Sequence, residues 1–258
     1  MKINFCFIRH GESCQNLVVH KISDRNKQKE LLFKFLDPNL TDNGIIKSIE
    51  AGKKLHNTLL TGKYEMDTRE YKYKTPILLK ISDFDIIGCS PTVRAMETSY
   101  YMSLEWNPTN IFIFPHLREC DCYENETIEN VNNRYPIKSI DQQKEILRSE
   151  PCYNKLNFKY VIDNPLREEP GNIDKFIKWF GENVELPDKE TVNVLIITHS
   201  HVIARIRGGG ISNNSGFILS TTKENDKILY TKDNLMGFWY FNNDLKTKCP
   251  IEKCPGLC

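Results

Sequence analysis

The chain has no run of about 18 apolar residues, the minimum that spans a bilayer, so no membrane-spanning helix is expected. It also has almost no net charge: 35 Lys and Arg stand against 34 Asp and Glu, a formal +1. Nothing overall draws it to nucleic acid or to an anionic membrane, and any preference for an anion must come from a local site. No Gly-Lys-Ser/Thr phosphate loop is present, and Gly208 to Gly210, followed by Ile211, read as a loop after a helix. There is no internal repeat and no linker between two cores. The opening stretch is apolar over Phe5 to Ile8, plus Ile3, and then meets Arg9, His10 and Glu12, too soon charged for an export signal. The expectation is a cytoplasmic protein in which most of the 9 cysteines are reduced thiols. Cys249, Cys254 and Cys258 crowd the end, but three sulfurs at this spacing match no four-ligand zinc pattern.

What is present is a chain of 258 residues, 40% hydrophobic, long enough to build a core without disulfides. Lys2 to Ile8, Phe84 to Cys89, Ile111 to Phe114 and Val192 to Ile197 are short apolar runs that read as buried strands. Helices are expected from Thr41, a plausible N-cap, to Gly62, from Thr92 to about Trp106, from Asn172 to Asn183, and from Ser200 to Arg207. Phe217 to Leu219, Ile228 to Tyr230 and Gly237 to Phe241 read as late strands. The alternation predicts an α/β fold, a three-layer α/β/α sandwich on a mainly parallel sheet. Residues 1–248 are read as one domain with insertions near 18–39, 63–80 and 120–170, the last irregular and broken by Pro136, Pro151, Pro165 and Pro170, followed by a tail at 249–258.

Three of the strands run into chemically unusual turns. The first ends at Arg9, His10, Gly11 and Glu12. The second ends at Ser90 and Pro91, with Arg94, Glu97 and Thr98 close behind. The last long strand ends at Thr198, His199 and Ser200. Ligands of open α/β sheets bind beyond the carboxyl ends of the strands, so the fold can bring two Arg and two His to one point. Such a cluster repels itself unless it holds an anion, and guanidinium groups bind phosphate oxygens through paired donors. An imidazole among those cations can attack phosphorus if it is neutral, and the neighbouring cations favour that state.

At these residues the chain resembles the histidine phosphatase (phosphoglycerate mutase-like) superfamily. Phe7-Ile8-Arg9-His10-Gly11-Glu12-Ser13, with Asn16, is similar to its Arg-His-Gly signature. Leu40-Thr41-Asp42-Asn43-Gly44 is similar to its Leu-Thr-x-x-Gly helix start, and Ser90-Pro91-Thr92-Val93-Arg94-Ala95-Met96-Glu97-Thr98 to its Ser-Pro-x-x-Arg-Ala-x-x-Thr segment. Leu117-Arg118-Glu119 and Thr198-His199 complete five motifs in the family's order. The resemblance implies a phosphoglycerate mutase-like fold and a role for each matching residue. His10 would be the nucleophile. Arg9, Arg94 and His199 would hold the phosphoryl oxygens, with Asn16 and Ser200 as further phosphate contacts. Glu119 would be the proton donor and then the base. It also implies catalysis with no cofactor and no metal, on a small phosphorylated substrate or a phosphoprotein. His199-x-His201 alone would suggest a metal, but the Arg residues beside it expel a cation.

The chain departs from the family in having Ser200 where Gly is usual, in its longer insertions, and in lacking the phosphoglycerate-recognition segments of a glycolytic mutase. The reading is a metal-independent phosphomonoester hydrolase acting through phosphohistidine. The alternatives are mutase-type phosphoryl transfer and a catalytically weak phosphate-binding interaction domain, which the presence of all four pocket residues and a Glu disfavours. Asp121, Glu124 and Glu126 rival Glu119 as the carboxylate, and His20, His56 and His116 are read as surface or core residues.

Overall fold

A computed structural model describes residues 1–62, 79–120, 129, 136–207, 211–225, 227–230, 235–239 and 241. Their strands form one mixed sheet: β1 (Lys2–Arg9), β2 (Ile86–Cys89), β3 (Ile111–Ile113), β4 (Leu156–Asn157), β5 (Thr191–Thr198), β6 (Gly216–Glu224), β7 (Lys227–Leu229) and β8 (Leu235–Trp239). The order is β4-β3-β2-β5-β1-β6-β7, with β8 also paired to β6. Every pairing from β4 to β1 is parallel, while β6 runs antiparallel to β1, β7 and β8. The mainly parallel sheet expected from the sequence is thus the centre of a sheet with one antiparallel edge.

The helices are α1 (Cys14–Lys21), α2 (Arg25–Lys34), α3 (Asp42–Thr61), α4 (Val93–Met102), α5 (Ile140–Leu147), α6 (Ile173–Asn183) and α7 (Ser200–Arg207). Strand side chains alternate between two faces, and both faces are apolar, so helices cover both. Cys6, Ile8, Leu195 and Ile197 pack with Leu55 and Leu59 of α3, Met96 of α4 and Leu147 of α5. Phe5, Phe7, Val194 and Ile196 pack on the other side with Phe176 and Phe180 of α6 and Val202 and Ile203 of α7. The result is a three-layer α/β/α sandwich. Aromatic edge-to-face contacts mark the second core, with ring centroids 5.2 Å apart for Phe5 and Phe180 and 6.1 Å for Phe7 and Phe176.

The start of α3 shows why its short motif is written as it is. Thr41 caps the helix by accepting from the Gly44 N–H at 2.8 Å. The β1–α1 turn then lies directly on that first turn. A Cβ on Gly44 would fall 2.1 Å from the Glu12 carbonyl oxygen, and one on Gly11 would fall 2.5 Å from Ser48 Oγ. Only glycine lets the two backbones approach so closely. At its other end α3 stops at Gly62, whose φ of 65° is left-handed.

Several expectations need correction. The helix expected over residues 92–106 is α4 followed by a 3₁₀ turn, Leu104–Trp106, which Asn107 ends at a φ of 43°. Segment 120–170 is not irregular throughout: between Pro136 and Pro151 it holds α5, started by a capping box of Ser139 and Gln142 and anchored by buried Gln143 and Leu147. The insertion near 18–39 contains α2, capped by Asp24 on the Asn26 and Lys27 N–H groups. Among the described residues Cys6, Cys89, Cys120 and Cys152 are free and buried, and Cys14 is disulfide-bonded. Among the described residues no helix is long and apolar enough to cross a membrane. Most of the 63–80 insertion, Asp121, Glu124 and Glu126, the Gly208–Gly210 run, and Cys249, Cys254 and Cys258 lie outside the described residues.

Candidate active site

The strand order explains the convergence of residues far apart in sequence. β5 lies between β1 and β2, and the three end within one residue of one another: Arg9 pairs with Thr198, and Cys89 with Ile197. The next residues are His10, His199 and Ser90, on neighbouring strands that lie about 4.8 Å apart. β3 flanks β2, with Ile113 beside Cys89, and leads on to Glu119. His10, Ser90, Arg94, Glu119 and His199 are all buried.

His10 is held in one orientation and one tautomer. Its Nδ1 lies 2.7 Å from the Gly11 carbonyl oxygen, to which it donates, and its Nε2 accepts from Arg94 Nε at 3.2 Å. The lone pair therefore sits on Nε2, facing the guanidinium. Burial pushes the His10 pKa well below its usual value. Arg94, His199 and Arg9 push it further down, and Glu119 only partly opposes them. His10 is a neutral imidazole in a cationic setting.

His199 stands with its ring 4.9 Å from that of His10. Ser90 Oγ lies 2.9 Å from His199 Nε2 and Thr92 Oγ1 3.3 Å from it. Its Nδ1 lies 3.2 Å from Glu119 Oε2 and 3.4 Å from an Arg94 terminal nitrogen. Burial and Arg94 lower the His199 pKa to about 4 against the pull of Glu119. Arg94 also reaches Glu119 Oε2 at 4.0 Å. Glu119 stays ionised: burial would raise its pKa, but His199, His201 and Arg94 together hold it well below the usual carboxylate range.

Arg9 donates to the Ile211 carbonyl oxygen at 2.6 Å, while its Nε is buried without a hydrogen-bond partner. Burial lowers its pKa, Glu119 opposes that, and Arg94 adds to it. Of the two further phosphate contacts expected, Ser200 turns its Oγ to the Ile211 backbone, accepting from the N–H at 3.1 Å. Asn16 Oδ1 accepts from the Ser13 N–H at 3.0 Å in the capping box of α1. The structure thus brings Arg9, His10, Arg94, Glu119 and His199 together, and gives Asn16 and Ser200 bracing contacts beside them.

Sequence reasoning missed how these groups are held, and placed Glu97 and Thr98 only as neighbours of the second turn. Residues 211–215 clamp the end of β1: Asn213 Nδ2 donates to the His10 carbonyl oxygen at 2.8 Å and to that of Gly11 at 3.1 Å, and the Arg9 N–H donates to Ser215. No motif marks that loop. Behind the Ser90–Pro91 turn the two insertions meet. Buried Asp37 accepts from the Val93 N–H at 2.9 Å and from Gln143 Nε2 at 2.6 Å, and Gln143 also donates to the Pro91 carbonyl oxygen. Glu97 accepts from the Leu40 N–H at 2.6 Å and from Asn39 Nδ2 at 3.0 Å, so it fastens the chain ahead of α3. Thr98 accepts from the Gly11 N–H at 2.9 Å. His201, read earlier only as half of a possible metal pair, lies with Nδ1 3.4 Å from Glu119 Oε1.

His10, Glu119 and His199 each place one donor atom within 4.8 Å of the others, close enough in principle to surround an ion. Arg94 touches all three, however, and its fixed positive charge opposes a cation there and suits an anion. The arrangement can take a phosphoryl group between Arg9 and Arg94, facing His10 Nε2, with a carboxyl group beside it to move a proton.

Neither a family model nor a curated protein matches the chain. Solved structures similar to it include a mycobacterial hydrolase, at 15% identity over 86% of this chain and 93% of that one, with a TM-score of 0.44. Another is the ecdysone phosphate phosphatase of Bombix mori, at 12% identity over 90% and 92%, with a TM-score of 0.40. A third is a phosphoglycerate mutase from Bacillus anthracis, at 15% identity over 90% and 94%, with a TM-score of 0.41. At these scores the likeness carries no argument, and the chemistry is read from the site itself.

Proposed function

We propose that this protein is a metal-independent phosphomonoester hydrolase that works through a phosphohistidine at His10. The observation that carries the reading is the state of His10: Nδ1 fixed on the Gly11 carbonyl oxygen, and the Nε2 lone pair exposed to a guanidinium among further cationic groups. An imidazole so placed is a poor base and a ready nucleophile toward an anion that its neighbours attract.

In the first half-reaction Arg9 and Arg94 hold the phosphoryl oxygens, and Arg94 turns its Nε–H from His10 to the substrate. The freed Nε2 attacks phosphorus, the P–O bond to the leaving group breaks, and the Glu119 carboxyl group delivers a proton to the departing oxygen. In the second, Glu119 takes a proton from water as the water attacks phosphorus. The N–P bond breaks and inorganic phosphate leaves. Phosphoglycerate mutase-type transfer shares the first half-reaction and differs only in returning the phosphoryl group to an organic hydroxyl.

The test is turnover of p-nitrophenyl phosphate in EDTA, with a base quench to trap the acid-labile phosphoenzyme. Wild type is expected to turn over and to carry phosphate on His10, and His10→Gln to do neither. Turnover that EDTA abolishes and a divalent ion restores, or a fully active His10→Gln, overturns the proposal.

A further inference from the structure

Glu119 has two oxygens and two imidazole neighbours of different kinds. Oε2 faces His199, whose side chain has no exposed surface. Oε1 faces His201, whose side chain is 42% exposed, in the first turn of α7. The Glu119 side chain itself is only 12% exposed. Among the described residues, His201 is therefore the titratable group that connects a buried carboxylate to solvent.

The chemistry gives such a connection a purpose. A carboxylate held ionised by His199, His201 and Arg94 has no proton of its own to give at neutral pH, yet the first half-reaction asks it for one. A group that feeds it must lie within one proton transfer, must be protonated when the substrate arrives, and must recover its proton afterwards.

We propose that His201 is the proton reservoir of Glu119, a positioning residue that supplies the carboxyl group in the first half-reaction and is recharged by it in the second. The inference rests on the phosphohistidine reading above. As the leaving-group P–O bond breaks and the Nε2–P bond forms, the Nδ1 proton of the His201 imidazolium passes to Glu119, and Glu119 passes a proton to the leaving oxygen. His201 is left neutral, with its remaining proton on Nε2. When water attacks the phosphohistidine, its proton passes to Glu119 and on to His201 Nδ1. The ion pair is restored, phosphate leaves, and no proton is gained or lost by the pair over the cycle.

The charges around His201 suit the role. The Glu119 carboxylate, 3.4 Å from Nδ1, raises its pKa above the usual 6.5, burial opposes this, the Cys120 carbonyl oxygen raises it further, and Arg9 lowers it. These are the groups that face it: Glu119 and Cys120 from the segment after β3, and Arg9 from the end of β1. The balance favours the imidazolium at the start of a cycle.

The experiment compares wild type, His201→Gln and His201→Ala on p-nitrophenyl phosphate, whose leaving group departs without a proton, and on phenyl phosphate, whose leaving group needs one. At pH 7 the His201→Gln variant is expected to lose roughly tenfold to hundredfold in kcat/KM on phenyl phosphate, within the span of a proton-transfer contribution, and less than about threefold on p-nitrophenyl phosphate. The fall of wild-type kcat/KM as pH rises through the His201 titration should vanish in the variant. Added imidazole should restore phenyl phosphate turnover to His201→Ala. Equal losses on both substrates with the alkaline limb intact, or wild-type rates on both, overturn the relay. Trapped phosphoenzyme in wild type and His201→Gln alike separates this outcome from the wider one: a wild type that traps none overturns the phosphohistidine reading and the relay with it.

Discussion

Acidification from pH 7 to pH 5 should destabilise this protein through the two imidazoles that its site keeps neutral. In the unfolded chain His199 titrates near 6.5, and in the fold near 4. Between those values the unfolded state binds the proton and the folded state does not, so stability is full above pH 6.5 and declines as pH falls. Integrated for this one fully buried group, the loss between pH 7 and pH 5 is about 2 kcal/mol. Against a total of about 5–15 kcal/mol that is a large share, and for a chain of this size it corresponds to a fall of about 4–8 °C in Tm. His10, depressed for the same reason, adds to it. Two other groups at the site contribute in other ranges or with opposite sign, and comparison with His199→Gln cancels both. Glu119, with a depressed pKa, contributes stability that is lost only below the ordinary carboxylate range. His201, with a raised pKa, contributes stability present below about pH 6.5 and lost as pH rises through its folded value. Urea midpoints at pH 7 and pH 5 measure the effect, in wild type and in His199→Gln. The variant should lose less on acidification than wild type by roughly that 2 kcal/mol, whatever its stability at pH 7. A variant whose pH dependence matches that of wild type refutes the neutral buried imidazole at His199.

Two other outcomes follow from the site and the core. Glu119→Gln should lose roughly 10²–10⁴ in rate on phenyl phosphate yet show a burst of nitrophenol on p-nitrophenyl phosphate, because only the second half-reaction of that substrate needs the base. Rapid-quench kinetics check this, and wild-type rates in Glu119→Gln alongside a loss in Asp121→Asn, Glu124→Gln or Glu126→Gln would move the role to that residue. Phe176→Ala empties a site between Phe5, Phe7, Phe114 and Phe180 and should cost about 3–5 kcal/mol in denaturant unfolding. A loss below about 1 kcal/mol would show that this face of α6 is not the packed core described here.

Interactions local in the chain are the ones its residues announce. The strands were legible because Phe5 to Ile8 and Val192 to Ile197 are apolar on both faces, a pattern that only a sheet covered on both sides satisfies. The end of α3 was legible in Gly62, and its start in Thr41 and Gly44, because capping and close approach are written in single residues. The chemically unusual turns were legible for the same reason: Arg9-His10 and Thr198-His199 straddle the end of a strand, and Ser90-Pro91 directly follows one. Helix α5 was missed because four prolines masked a capping box, Ser139 with Gln142, that was there to be read.

Tertiary structure alone decided what those turns do together. That β5 enters between β1 and β2, bringing His199 beside His10, is a matter of strand order, which no local pattern encodes. That residues 211–215 clamp Arg9 and His10, and that Asp37 and Gln143 from two insertions brace the Ser90–Pro91 turn, depends on contacts spanning roughly 50 to 200 residues of chain. That Glu119 divides its oxygens between a buried imidazole and a half-exposed one depends on where α7 begins relative to the segment after β3. The residue types set which chemistry is available. Their protonation states come from burial and from neighbours brought close by the fold, which is why a histidine that is ordinary in the chain is held neutral in the protein.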